Sequence, residues 1–154
     1  GSISKKDPRA NIHVDIKQWE LFRNANPDNP FILTSWLGPF FAHNMEKAEL
    51  IGAPIIKVLL YTNPPEIALN RAATRDAKDL GISHDEAFEE NKRIFEKDWN
   101  EWTEAYKPLK GIPLYTPGNG FYDLEIDVSD LPKDAAATVV NDWLITKKFA
   151  TQIA

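Results

Sequence analysis

The stretch Ile55-Ile56-Lys57-Val58-Leu59-Leu60-Tyr61, with Asn63-Pro64-Pro65-Glu66 almost directly after it, decides the fold class. So short and apolar a run, rich in β-branched residues and bounded by turn signals, predicts a strand buried on both faces, as strands of parallel sheets are. The next residues open a helix. Asn63 can cap, the prolines suit a first turn, and Glu66 favours the positive end of the helix dipole. The helix is predicted to run to about Asp79, with Gly81 closing it.

Toward the C-terminus, Ser83-His84-Asp85-Glu86 has capping-box spacing, and the helix it opens meets no Gly or Pro until Pro108. Loop chemistry then holds from Pro108 to Gly120. Tyr122 to Val128 alternates toward a last strand, and Pro132 opens a final helix through Leu144 or beyond. Toward the N-terminus, Phe40 to Leu50 is predicted helical, Gly38-Pro39 a turn, and Phe31-Ile32-Leu33-Thr34 a buried strand. A helix over His13 to Ala25 ends at the turn cluster Asn26-Pro27-Asp28-Asn29-Pro30. Strands separated by helical segments favour an α/β fold, with a mainly parallel sheet flanked by helices. Residues 1–12 read as a polar lead in which Gly1-Ser2 is a tag remnant, 13–146 as a single domain, and 147–154 as a C-terminal tail.

Composition narrows the function. With 43% hydrophobic and 27% charged residues, the 154-residue chain fits a soluble globular domain rather than a disordered or fibrous one. Eighteen basic against 23 acidic side chains, a formal charge of −5, argue against general attraction to nucleic acid or anionic lipid. Cysteine is absent, which excludes disulfides, thiolate metal sites and a catalytic thiol, and agrees with a cytoplasmic location. No apolar run is long enough for a membrane span. The histidines His13, His43 and His84 have no ligand spacing, so a metal centre is not expected.

Taken as a line, Asp15-Ile16-Lys17-Gln18, Phe31 to Leu37, Lys57-Val58-Leu59-Leu60, Pro65-Glu66 through Arg75-Asp76, and Tyr122 to Asp127 before Pro132 resemble the cytidylate-kinase-like branch of the P-loop nucleoside monophosphate kinases. The order and spacing match over roughly residues 14–144. The resemblance implies a phosphotransferase in which a Gly-rich loop holds ATP phosphates with magnesium, lid arginines meet the transferring phosphoryl group, and a second site holds a pyrimidine nucleoside monophosphate. The chemistry, however, has been stripped out. No Gly-Lys-Ser or Gly-Lys-Thr occurs in the sequence; Ser35-Trp36-Leu37 stands where the family has Gly-Arg-Leu; Ile94 and Glu101 occupy lid-arginine positions, with only Arg93 close by. Between Asp85 and Lys107 eight acids face four bases, a charge that repels a triphosphate.

Arg71 and Arg75, one helical turn apart, match the family's Arg-x-x-x-Arg stretch and are the candidates to hold a monophosphate, with Arg93 behind them. The same arginines can instead pair with Asp76, Asp79 or Glu66 as solvated helix residues. Trp36, Phe40 and Phe41 fall at the family's acceptor site and are either core or an exposed partner surface. The expected function is therefore a non-catalytic binding or assembly module needing no cofactor of its own. The competing reading is the acceptor-site and lid portion of a kinase whose P-loop segment is upstream or on another chain, which would bring ATP and magnesium. In the family the P-loop strand lies between the counterparts of Phe31–Thr34 and Ile55–Tyr61. Its absence predicts that those strands pair directly, that residues near Ile12 to Ile16 form a substitute strand, or that a homo-oligomer or protein partner completes the sheet. Direct pairing comes first because it needs no new parts.

Overall fold

The computed structural model describes residues 10–132 and 134–147. Expectations for the chain up to Arg9 and from Lys148 onward lie outside the described residues. Within them the protein is mixed α/β, with five α-helices and one sheet of two parallel strands. None of these helices is long and apolar enough to cross a membrane. The chain divides into two compact units, residues 1–57 and 58–154.

In the first unit, α1 (Ala10–Arg23) packs against α2 (Gly38–Lys47). Gln18 links them through Ser35. Its buried Oε1 accepts from Ser35 Oγ at 2.5 Å, and that same Oγ accepts the Gly38 N–H at 3.0 Å, fixing the entry to α2. Phe22, Leu37, Phe40, Phe41, Ala42 and Met45 are buried. After α2 the chain returns to α1, where Gly52 N donates to Phe22 O at 3.2 Å. A Cβ at Gly52 would lie 2.4 Å from Ala25 O, so this contact admits only glycine. Lys57 then pairs with Glu46 at 2.7 Å. Two sequence expectations change here. Phe31–Thr34 belongs to no strand, and Ile12–Ile16 lies in α1, so neither supplies the sheet. Strand formation needs a partner as well as propensity, and the described sheet offers Phe31–Thr34 none.

The second unit is built on β1 (Val58–Tyr61) and β2 (Leu124–Asp127), in register from Val58 opposite Leu124 to Tyr61 opposite Asp127. The predicted strand starting at Ile55 is thus shortened to its last four residues. Residues 62–123 form the crossover that a parallel pair requires. It contains α3 (Glu66–Leu80), which Gly81 closes at φ +67° while its N–H bonds Ala77 O at 3.0 Å. The capping box forms as its spacing predicts: Glu86 N donates to Ser83 Oγ at 3.2 Å and Ser83 N to Glu86 Oε2 at 2.9 Å. It opens α4 (His84–Ala105), and Pro108 falls in the short 3-10 helix Lys107–Gly111 directly after it. α3 and α4 pack on each other, with Ala73 and Ala87 buried. The last helix, α5, spans Ala135–Thr146.

Two aromatic side chains of α4 pack against the loop that follows it. Phe95 and Trp99, one turn apart, both meet Tyr115 edge-on, with ring centroids at 5.6 and 5.7 Å. Leu109 and Leu114 of the same loop are fully buried, and the Tyr122 hydroxyl ties the loop's far end back by donating to Leu114 O at 2.5 Å. Burial, and then the charge of Glu125, push the Tyr122 phenol up to about 12. The unfolded chain loses this proton near the ordinary tyrosine value of about 10, below the folded value, so stability falls as pH rises between the two. Denaturant unfolding across that range is expected to show the loss, and Tyr122→Phe to make it shallower, the remainder coming from Tyr115, whose phenol burial also pushes up. An unchanged slope in Tyr122→Phe would assign the alkaline loss to other groups.

Candidate functional site

In open α/β sheets ligands bind beyond the carboxyl ends of the strands. At that position here lie Thr62-Asn63 after β1, Val128-Ser129-Asp130 after β2, and Arg71 from α3. The groups at this place bind one another. Asn63 N donates to Ser129 Oγ at 2.8 Å, so Asn63 ties the strand ends together instead of capping α3, whose cap position is Pro65. Ser129 N donates to Asp127 Oδ1 at 2.9 Å and Ser129 Oγ donates to the same oxygen, holding the Asp127 carboxyl below its usual range. Arg71 Nη1 donates to Val128 O at 2.9 Å and Nη2 donates to Ser129 O. The guanidinium therefore clamps α3 onto the chain leaving β2.

The other candidate cations also have partners. Arg75, exposed on α3, bonds Asp76 Oδ1 at 2.7 Å, and it is Asp76 that joins the two helices, accepting from Asn91 of α4 at 3.0 Å. The hydrogen bond raises the arginine further above its ordinary value and lowers the carboxyl. Arg93 makes a two-pronged contact with Glu90, at 2.9 and 2.7 Å. It lies beside a shallow depression on α4 ringed by Glu86, Glu89, Glu90, Glu96 and Lys92, where the acids outnumber the bases. Such a surface repels phosphate. Among the described residues no group of three His, Asp or Glu side chains is placed to hold a metal ion.

The aromatic candidates separate. Phe40 and Phe41 are each 3% exposed and meet at 5.5 Å inside the first unit, so they are core rather than a partner surface. Helix α2 turns them inward against α1. Trp36, just before the helix, is 62% exposed. Sequence reasoning took Asn63 for a helix cap and passed over Ser129, whose only local signal is the Asp127-x-Ser129 spacing of a side-chain-to-backbone turn. It also passed over Glu125. Its Oε2 accepts the Gly118 N–H at 2.8 Å, while its Oε1 is buried without a hydrogen-bond partner among the described residues.

No protein-family model, no curated protein and no solved structure matches this chain.

The clamp gives a direct contrast between two arginines one turn apart. Arg71→Ala removes two charged hydrogen bonds that, though solvent-exposed, join α3 to the chain 57 and 58 positions away, and is expected to destabilise the second unit by about 1 kcal/mol in denaturant unfolding. Arg75→Ala, which breaks an exposed pair, is expected to leave the midpoint nearly unmoved. The reverse order would remove the structural role assigned to Arg71.

Proposed function

We propose that this chain is a non-catalytic, cytidylate-kinase-like domain that serves as a binding or assembly module. The observation that carries the reading is the use made of Arg71. A guanidinium expected to meet a phosphate instead satisfies two backbone carbonyls, and releasing it would open the join between α3 and the end of β2. Arg75 and Arg93 are likewise paired with carboxylates. Phosphoryl transfer depends on positive charge gathered around the transferring group. In this chain Arg75 and Arg93 are matched by acids and Arg71 by carbonyls, and the sequence has no Walker lysine. The module needs no cofactor for this role. Its partners are another protein chain or, weakly, a nucleoside monophosphate, rather than nucleic acid or membrane.

One observation favours the second reading, that of an acceptor-site and lid portion whose P-loop segment lies elsewhere. The strands are parallel, and Arg71 stands at their carboxyl ends, where a phosphate would be held. That reading requires ATP and magnesium to arrive with the missing segment.

Calorimetric titration with CMP, UMP and ATP, and a coupled assay with MgATP, separate the two. The expected result is no turnover, no binding of ATP, and binding of CMP or UMP no tighter than about millimolar. Turnover of about 1 per second or more overturns the proposal. Binding of CMP that is lost in Arg75→Ala and weakened by salt would favour the acceptor-site reading.

A further inference from the structure

We infer that the open edge of β1 takes the Phe31–Thr34 segment of a second copy of this chain as a third strand. This inference rests on reading the domain as an assembly module, and it names the partner.

The sheet is incomplete as it stands. Among the described residues β1 pairs with β2 alone, which leaves its other edge with unused backbone donors and acceptors. Parallel sheets are stable when extended and buried, and two strands fall short of that. The two outer edges differ in chemistry. β2 carries Glu125 and Asp127, charges of the kind that discourage edge pairing. β1 reads Val58-Leu59-Leu60-Tyr61, with no charge and no proline to protect it, and Leu60 is 51% exposed.

A complementary piece is present in the same chain. Phe31-Ile32-Leu33-Thr34 is uncharged, β-prone and as long as β1, yet it lies in no strand. Ile32 is 94% exposed. The segment is anchored at both ends within its own unit, by the turn in which Asn29 N bonds Asn26 O at 3.0 Å and by the Ser35–Gln18 hydrogen bond. Among the described residues the sheet has two strands, and Phe31–Thr34 is neither of them. Every copy thus carries one donor segment and one acceptor edge, so reciprocal exchange closes a two-fold dimer with no strand left over. Neither surface carries a charge that would oppose the pairing.

Sedimentation of the full chain at micromolar concentration tests this, together with Ile32→Pro, which removes a ladder donor at a fully exposed position, and Leu60→Lys, which charges the accepting edge. The wild type is expected to be a dimer, and each variant to raise the dimer dissociation constant at least tenfold while keeping its helical circular dichroism. Mixing the two variants is expected to restore a dimer through the one intact exchange, which a general loss of stability would not do. A monomeric wild type, a dimer unaffected by Ile32→Pro, or hydrogen-exchange protection of Phe31–Thr34 in a monomer each overturns the inference. A monomer that binds no nucleotide overturns this inference alone, whereas nucleotide turnover overturns the non-catalytic reading and leaves the dimer result as it stands.

Discussion

Parallel pairing of β1 with β2 is the constraint that shapes the second unit. Two strands that run the same way cannot be joined by a tight turn, so residues 62–123 must leave the end of β1 and return to the start of β2. Helices α3 and α4 make that excursion as a packed pair, with Gly81 and the Ser83–Glu86 box forming the corner between them. The return is fastened twice. Tyr115 docks against Phe95 and Trp99, and Arg71 holds the chain just past β2. Each of these attachments joins residues at least 16 positions apart in sequence.

This is why the polar groups at the carboxyl ends of the strands read as structural. A catalytic crevice holds donors aimed at a position that a substrate will fill. Here the donors of Arg71, Asn63 and Ser129 end on protein acceptors, and the Asp127 carboxylate is held by Ser129. The acids of α4 add a field of the wrong sign for a triphosphate. Arg71 stands where it stabilises the fold, joining α3 to the chain past β2.

Local signals were legible in the sequence wherever the determining interaction was itself local. The box at Ser83 and Glu86, the left-handed Gly81 and the stop near Pro108 all involve residues within a few positions of each other, and all stand as predicted. The apolar run ending at Tyr61 also forms its strand, although Ile55 to Lys57 do not join it, because β2 offers only four residues to pair with. Phe31–Thr34 failed as a strand for the related reason that a strand exists only with a neighbour, which no local pattern specifies. The fate of Arg71 was illegible for the same cause. Helical spacing set its face, but the carbonyls of Val128 and Ser129 reach it only through the tertiary fold. Phe40 and Phe41 differ from Trp36 because α2 begins between them, turning two rings toward α1 and leaving the indole outside the helix.

The central claim is that Arg71 belongs to the fold rather than to a ligand. Nuclear magnetic resonance of the arginine side chains, recorded while CMP and then MgATP are added, tests it most directly. The account predicts that the Arg71 guanidinium protons are protected from solvent exchange in the free protein and keep their positions throughout both titrations. Saturable movement of the Arg71 and Arg75 signals together with added CMP would contradict it.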